Sequence, residues 1–253
     1  MEITFLGTGT SHGVPVPGCN CQTCNSSDPR NKRYRTSLFV ELENKSLMID
    51  TPPEHRLQMV RWGPVTPDII LFTHEHADHI MGFDDLRSMN WRRNDTIPCY
   101  GNKRTVNRIK QTFSYIFEEN NYHGGGIPRV DIFNLENLSS RWQQIITPLP
   151  VKHGKLDVFG YRIGPLAYIT DVSSIPPQTL SKLEGLEVLI LGVLRERPHR
   201  THLNLEQGKN LVNKIGRPKT FFTHISHDLE YAETNRKLPE HIDLAYDGLR
   251  IEI

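Results

Sequence analysis

The sequence predicts an α/β fold in which two β-sheets pack face to face and helices cover the outer face of each sheet. Short apolar, strand-like runs recur along the whole chain, with helical or irregular stretches between them. Two of those stretches, 105–117 and 205–215, have the apolar spacing of amphipathic helices. No internal repeat and no low-complexity linker interrupts the 253 residues, so we expect one domain over 1–253.

Local signals support these elements in order. Runs rich in apolar and β-branched residues predict strands at 2–7, 69–72, 147–152, 166–170 and 220–223. Asn204 precedes the helix at 205–215, and Gln207 three residues later completes a capping-box pattern. The stretch 120–128 contains three consecutive glycines. This composition favours a solvated surface loop over a loop that overhangs a site or mediates contacts in a homodimer.

The most distinctive cluster of the chain directly follows the run 69–72. Three imidazoles and a carboxylate lie within six residues, at His74, His76, Asp78 and His79. A packed core would have to supply a partner for each group, because a charge buried without one is costly. A divalent metal removes that cost by accepting the nitrogen and oxygen lone pairs. In an extended segment the first two histidines point the same way while the last two residues turn to a second point. The spacing therefore predicts two metal ions rather than a polar surface loop.

Further candidate ligands stand at the ends of later strands. His153, Asp171 and His224 each directly follow a strand-like run. Loops beyond the carboxyl ends of strands are where α/β proteins usually build their sites. Taken one at a time, the two histidines are better explained as structural residues. Taken with the first cluster, the three residues supply enough ligands for two ions, and donors of this kind suit Zn²⁺, Mn²⁺ or Fe²⁺.

Three of the four cysteines indicate a separate metal site. Cys19, Cys21 and Cys24 form a C-x-C-x₂-C pattern within a loop at 18–25. The chain opens on a strand rather than a signal segment, and its longest apolar runs are far shorter than a membrane span, so we expect a cytoplasmic protein. Closely spaced thiols are there more often metal ligands than disulfides, although reduced surface thiols are the alternative.

A structural zinc takes four ligands in a tetrahedron, and three cysteines leave one position to fill. The remaining Cys99 has strand-like neighbours and is interpreted as an inert core residue. His227, three residues after His224, is the best candidate for the fourth ligand. One short turn would then serve both metal sites.

The order of these ligands resembles that of the metallo-β-lactamase superfamily of binuclear metallohydrolases. The resemblance extends over nearly the whole chain and implies a four-layer αββα sandwich. By that resemblance one metal is held by His74, His76 and His153, and the other by Asp78, His79 and His224. Asp171 bridges both ions.

Within the superfamily, the chain looks like the PhnP-type phosphodiesterases of the carbon–phosphorus lyase pathway of phosphonate metabolism. The Gly-rich turn at 7–15, the cysteine loop, the histidine cluster and the His224/His227 pair carry this closer resemblance. It implies a structural Zn²⁺ on three cysteines and His227, and small phosphodiester substrates. These substrates include 5-phosphoribosyl 1,2-cyclic phosphate and 2′,3′-cyclic nucleotides.

The same resemblance implies the catalytic residues. A hydroxide bridging the two metals and oriented by Asp171 attacks phosphorus, with Asp78 in the catalytic set. His202 is singled out as a catalytic histidine that does not bind metal. It donates a proton to the leaving group, binds the phosphate, or does both. His199 lies close by, and the choice between them rests on the motif alone.

Two further polar residues each have two interpretations. His12 lies in the Gly-rich turn, where it could face an anion or bond to the backbone as an ordinary loop histidine. Asp50 ends another strand, where it could orient a metal-bound imidazole or cap the turn that follows. Neither belongs to the predicted catalytic set.

Three other functions compete with this prediction. A tRNA 3′-endonuclease of the same superfamily recognises RNA through a long basic arm. No Lys/Gly-rich insertion of that type is evident, and a formal net charge of +1 gives no global attraction to polyanions. Lactonases and thiolesterases use similar ligands on carbonyl substrates. A non-catalytic zinc scaffold is the third alternative, and the complete ligand set disfavours it.

Overall fold

A computed structural model describes residues 1–63, 66–93, 95–118 and 126–253. The strands in these ranges are β1 (Glu2–Gly7), β2 (Ser37–Leu42), β3 (Lys45–Ile49), β4 (Ile69–Leu71), β5 (Ile97–Gly101), β6 (Val130–Asn134), β7 (Ile146–His153), β8 (Leu156–Ile163), β9 (Leu166–Ile169), β10 (Val188–Gly192), β11 (Lys219–Thr223), β12 (Ile242–Leu244) and β13 (Arg250–Glu252). They form a seven-stranded sheet in the order β13-β1-β2-β3-β4-β5-β6 and a six-stranded sheet in the order β12-β11-β10-β9-β8-β7.

Ten α-helices of the described residues alternate with these strands along the chain. They are α1 (Gln22–Asn25), α2 (His55–Arg61), α3 (Ala77–Ile80), α4 (Arg87–Arg93), α5 (Lys103–Thr112), α6 (Ser114–Phe117), α7 (Ser140–Gln143), α8 (Pro177–Leu180), α9 (Leu205–Lys214) and α10 (Tyr231–Asn235). No helix in the part of the chain that the structure describes is both long enough and apolar enough to cross a bilayer.

Three apolar clusters define four layers. The middle cluster lies between the sheets and takes Leu71 from one sheet and Tyr168 from the other. Side chains alternate across a strand, so Ile70 points to the outer face of the first sheet, where it packs in a cluster with Ile109 of α5. A third cluster packs the outer face of the second sheet against Val212 of α9. The predicted α/β class and the αββα sandwich are confirmed.

Both sheets contain a run of parallel strands. β3, β4, β5 and β6 are parallel, and so are β9, β10, β11 and β12. The carboxyl ends within each run therefore meet at one edge of the sheet. Asp50 follows β3 and His224 follows β11, and both have a left-handed backbone, with φ of 63° and 57°. A left-handed residue outside glycine is uncommon and costs free energy, so these sharp turns at strand ends mark a candidate functional site.

The predicted elements are largely confirmed, with two differences. The helix at 205–215 is present as α9, and the Asn204–Gln207 capping box is formed by two hydrogen bonds of 2.9 Å. The helix predicted at 105–117 instead begins at Lys103 and is interrupted at Phe113, whose buried ring packs 5.4 Å from that of Phe83. Insertion of this ring into the core takes the backbone out of the helix.

The second difference concerns His153, which is the last residue of β7 rather than the first residue beyond it. It pairs with Leu156 across a hairpin that the sequence pattern did not reveal. Of the loop predicted at 120–128, residues 119–125 lie outside the described part of the chain. The prediction for that loop therefore stays a prediction.

Candidate metal centre

The segment after β4 directs its polar side chains to two points. His74 lies three residues beyond the end of β4, and His76 has an extended backbone and occupies the N-cap position of α3. Asp78 and His79 occupy the first turn of that helix. The backbone changes from extended chain to helix at His76. The His74 ring lies between the two points, with its centroid 4.4 Å from that of His76 and 4.1 Å from that of His79.

The first point gathers three imidazoles. Ring nitrogens of His74, His76 and His153 lie within 4.8 Å of one another. Nδ1 of His153 donates to the backbone carbonyl oxygen of Thr201 at 2.8 Å. Because a neutral imidazole carries one proton, this bond leaves Nε2 with a free lone pair that faces the cluster.

The second point gathers a carboxylate and two imidazoles. Donor atoms of Asp78, His79 and His224 lie within 4.8 Å of one another. Oδ2 of Asp78 is 3.4 Å from Nε2 of His79 and 3.6 Å from Nε2 of His224. The sharp turn at the end of β11 brings His224 into this group.

Asp171 lies between the two groups. Its Oδ2 is 3.2 Å from Nε2 of His79, and its Oδ1 is 3.3 Å from Nε2 of His224 and 3.8 Å from Nε2 of His153. Burial raises the pKa of this carboxyl, but the imidazoles of His224 and His79 outweigh burial and hold the pKa well below its usual range. A buried carboxylate therefore stays ionised at the place that both groups share.

Asp50 fixes the orientation of His79. Its Oδ2 accepts hydrogen bonds from Nδ1 of His79 at 2.7 Å and from Oγ1 of Thr73 at 2.8 Å, and its Oδ1 accepts from the backbone N–H of Thr73 at 2.8 Å. Both Asp50 and His79 are fully buried. Of the two interpretations of Asp50, the orientation of an imidazole is therefore the one that the contacts support.

The donor set fits divalent cations at both points. The Nδ1 protons of His79 and His153 are donated outward, so their Nε2 lone pairs face the oxygen lone pairs of Asp171. Nε2 of His74 and both ring nitrogens of His224 are buried without a hydrogen-bond partner. Lone pairs of ring nitrogens and carboxylate oxygens that face one another repel unless positive charge lies between them. Nitrogen and carboxylate donors suit Zn²⁺, Mn²⁺ or Fe²⁺.

The pKa of His79 also shows that its surroundings favour positive charge. Burial lowers the pKa of His79, but the carboxylates of Asp78, Asp50 and Asp171 outweigh burial and raise it well above its usual value. A proton on His79 and a divalent cation therefore compete for the same lone pair, so metal affinity should fall at low pH.

His202 rather than His199 lies beside the cluster. Nδ1 of His202 is 3.8 Å from Oδ1 of Asp171, and its ring stacks 4.9 Å from that of His224. Burial lowers the pKa of His202 to about 3, so its imidazole is neutral at physiological pH. His199 is exposed, and its Nδ1 lies 3.2 Å from Oγ1 of Thr201.

The three loop cysteines converge on His227. Its Nδ1 is 3.2 Å from Sγ of Cys19 and 3.5 Å from Sγ of both Cys21 and Cys24. A backbone hydrogen bond from Cys24 is the main cause that lowers the pKa of Cys21, to about 6. Three sulfurs around one imidazole nitrogen form a compact set of four donors, as a tetrahedral zinc site requires.

Two other residues lie apart from both clusters. Cys99 is fully buried among the apolar residues outside the first sheet, and burial raises the pKa of its thiol. This agrees with its interpretation as a core residue. His12 is exposed and belongs to none of the groups of converging donors in the described residues.

Two packed sheets with a His/Asp cluster at their strand ends are typical of the metallo-β-lactamase fold. Comparisons with known proteins agree with this class. Residues 46–225 match the family model described as the beta-lactamase superfamily domain. A crystal structure described as a new diphosphatase from the PhnP family superposes with a TM-score of 0.90 at 42% identity, covering 99% of this chain and 96% of that one. The chain belongs to the metallo-β-lactamase superfamily and, within it, to the PhnP family.

Two curated relatives match this chain over only part of their own length. An octanoyltransferase of Porphyromonas gingivalis (strain ATCC BAA-308 / W83) is 34% identical over 252 residues, which are 98% of this chain and 51% of that protein. A ribonuclease Z of Clostridium acetobutylicum is 37% identical over 65 residues, which are 25% of this chain and 21% of that protein. The chain thus spans about half of the first relative and about a fifth of the second.

Proposed function

We propose that the protein is a metal-dependent hydrolase of small cyclic phosphodiesters, such as 5-phosphoribosyl 1,2-cyclic phosphate or a 2′,3′-cyclic nucleotide. The observation that carries the proposal is the position of Asp171, an ionised buried carboxylate shared by two groups of convergent donors. A pair of cations held in this way suits a substrate that is itself an anion. The 42% identical relative is described as a diphosphatase, a name that likewise refers to a phosphate-containing substrate.

Each residue has a distinct part in this proposal. One divalent ion would be held by His74, His76 and His153, the other by Asp78, His79 and His224, and Asp171 would be a ligand that both share. When bound, the ions supply Lewis-acid polarisation of the phosphoryl oxygens and lower the pKa of water towards neutrality. The ionised Asp171 also accepts a hydrogen bond from the attacking water and so orients it towards phosphorus.

His202 binds the phosphoryl group in this proposal. The sequence leaves open whether His202 donates a proton, binds the phosphate or does both. A neutral imidazole retains one N–H, which can donate to a phosphoryl oxygen, whereas a pKa of about 3 leaves little imidazolium to act as an acid at neutral pH. Phosphate binding is therefore the role that the surroundings of His202 favour.

Two other substrate classes, RNA and acyl groups, have weaker support. The ribonuclease Z similarity favours RNA as a second candidate, but it is confined to about a quarter of the chain. The name octanoyltransferase belongs to a protein about twice as long as this chain, and a site of imidazoles and carboxylates built for cations gives acyl transfer no specific support. The cluster of Cys19, Cys21, Cys24 and His227 is proposed to hold a structural Zn²⁺ outside the reaction.

The experiment that tests the proposal is a substrate panel. Purified protein, treated with EDTA and then supplied with Mn²⁺ or Zn²⁺, is assayed on bis-p-nitrophenyl phosphate, a 2′,3′-cyclic nucleotide, an acyl-homoserine lactone and a precursor tRNA. We expect metal-dependent hydrolysis of the first two alone. Turnover of the lactone with inert phosphodiesters would refute the substrate class, and cleavage of the tRNA alone would favour the nuclease.

Substitution of His202 should separate its two roles. We expect His202→Ala to lower kcat about 10²–10⁴-fold towards bis-p-nitrophenyl phosphate with unchanged metal content. His202→Asn retains an N–H donor and should recover part of the loss. His199→Ala is the matched control, because that ring is adjacent but exposed, and it should retain most activity. Equal activities of the alanine and asparagine variants would contradict the phosphate-binding role.

A further inference from the structure

The guanidinium of Arg33 is buried and joins two segments of the chain. Arg33 is 3% exposed, and its Nη1 donates to Oγ1 of Thr8 at 2.7 Å and to the carbonyl oxygen of Ala245 at 2.6 Å. Its Nε and Nη2 have no hydrogen-bond partner in the part of the chain that the structure describes. Burial lowers the pKa of Arg33 to about 10, so the group still carries its charge at neutral pH. Burying a charge is costly, and the two bonds of Nη1 help to offset this cost.

The Thr8 hydroxyl connects Arg33 to a carboxyl group. Oγ1 of Thr8 accepts the bond from Arg33 and donates to Oδ1 of Asp247 at 2.7 Å. Oδ2 of Asp247 accepts from the backbone N–H of Tyr34 at 2.6 Å. We call Arg33, Thr8 and Asp247 the Arg33 clamp. Because the guanidinium and the carboxyl group share one hydroxyl, replacing Thr8 alone breaks the connection between them.

The two segments that the clamp joins are bonded to the chain on either side of His224. The carbonyl oxygen of Thr8 accepts from the backbone N–H of Ile225 at 2.9 Å, and Ile225 directly follows His224. The backbone N–H of Ala245 donates to the carbonyl oxygen of Phe222 at 2.8 Å, and Phe222 lies two residues before His224. The clamp thus holds both partners of the turn that carries this proposed metal ligand.

The turn at His224 depends on support of this kind. Its backbone is left-handed, with φ of 57°. A non-glycine residue persists in that conformation where the surrounding structure over-determines it. Both ring nitrogens of His224 are buried without a hydrogen-bond partner, so the ring contributes no hydrogen bond that would fix it. The position of the ring therefore depends on the backbone on both sides.

We propose that Arg33 and Thr8 are positioning residues of the metal centre. By holding both sides of the left-handed turn, they keep Nε2 of His224 close to the carboxylates of Asp78 and Asp171, at 3.6 and 3.3 Å. A ligand held in place before the cation arrives spends less free energy on ordering when the cation binds. The Arg33 clamp therefore raises metal affinity without contacting the metal. This inference rests on the proposed function of His224 as a ligand.

The test is a calorimetric titration of EDTA-treated protein with Mn²⁺. Thr8→Val keeps the shape of the side chain and removes its hydroxyl, and we expect one Mn²⁺ ion to bind about tenfold more weakly. Thr220→Val is the matched control, because it removes a buried hydroxyl, bonded to the carbonyl oxygen of Pro218 at 2.9 Å, from the other end of β11. Its Mn²⁺ affinity should stay within about twofold of the wild type. Equal Mn²⁺ affinities in the two variants would overturn the inference.

A second pair of variants separates positioning of His224 from a general structural role. His224→Gly removes the imidazole and accepts the left-handed backbone without strain. If the clamp acts through His224, adding Thr8→Val to this variant should leave the affinity for the remaining Mn²⁺ ion unchanged. A further tenfold loss in the double variant would show that the clamp acts on the whole fold, and would refute the positioning role.

Replacement of Arg33 tests the contribution of its charge. Arg33→Lys retains a cation that can donate to Thr8 or Ala245, so its Mn²⁺ affinity should exceed that of Arg33→Met. Equal losses in the two variants would contradict the role of the charge. Because these titrations measure metal binding rather than turnover, they remain decisive even if the wild-type protein hydrolyses no phosphodiester and the proposed function fails.

Discussion

Replacing Asp171 with alanine should lower kcat/KM for a phosphodiester by at least about 10³-fold and should release metal from the centre. Among the carboxylates that the structure describes, Asp171 is the one whose oxygens lie close to His79, His153 and His224. Its removal takes a buried negative charge from between the two groups of donors. The remaining imidazoles would then bring cations together without the anion that offsets their repulsion. The measurement combines steady-state kinetics with metal content per chain by mass spectrometry.

Two control variants show whether the effect of Asp171→Ala depends on the position of the carboxylate and on its charge. Asp157→Ala removes an exposed carboxylate that pairs with Lys152, and it should leave both the metal content and kcat/KM within about twofold of the wild type. Asp171→Asn retains the shape of the side chain and removes its charge, so it should resemble Asp171→Ala in activity. An Asp171→Asn variant that keeps two ions per chain and most of its activity would contradict the role of Asp171 as a shared ligand.

The sequence predicted the composition of this site because its signals are local. His74, His76, Asp78 and His79 lie within one short segment, and metal binding explains so many costly polar groups next to a buried strand better than a polar surface loop does. The later ligands could be found because each stands at the end of a strand-like run. The structure brings all of these side chains together, while their binding of metal stays a prediction.

The contacts that orient these side chains could not be read from the sequence, because they join residues distant along the chain. The carboxylate of Asp50 meets the ring of His79 across 29 positions, and the carbonyl of Thr201 meets His153 across 48. No periodicity or motif connects such pairs. The choice between His199 and His202 likewise depended on which ring reaches Asp171, and this is decided by the path of the loop after β10.

The interruption of the predicted helix at Phe113 has a similar cause. The apolar spacing over 105–117 is that of a helix, and local propensity gives no reason for it to end. Packing of the buried Phe113 ring against Phe83 overrides propensity.

The second large effect is expected at the cysteine cluster. Cys24→Ser should remove about one zinc ion per chain and lower Tm by roughly 10 °C or more. Structural zinc typically contributes many kcal/mol to folding, and each kcal/mol corresponds to about 2–4 °C in a protein of this size. The side chain is almost isosteric, and Sγ of Cys24 is 3.5 Å from Nδ1 of His227. Loss of a ligand, rather than loss of packing, therefore explains the expected destabilisation.

Cys99→Ala provides the matched control for this substitution. Cys99 is more deeply buried than Cys24 but lies among apolar side chains. Its replacement should cost stability through packing while the zinc content stays unchanged. Equal zinc contents in the Cys24→Ser and Cys99→Ala variants would show that the three thiols bind no metal.

The cysteine cluster should also influence the metal centre, because His227 lies three residues after the proposed ligand His224. Loss of zinc frees the turn between them, and the left-handed backbone at His224 then loses part of its support. We expect Cys24→Ser to need a higher Mn²⁺ concentration for half-maximal activity, while kcat at saturating Mn²⁺ falls much less than in Asp171→Ala. An unchanged Mn²⁺ requirement in a variant that has lost its zinc would show that the two sites are independent.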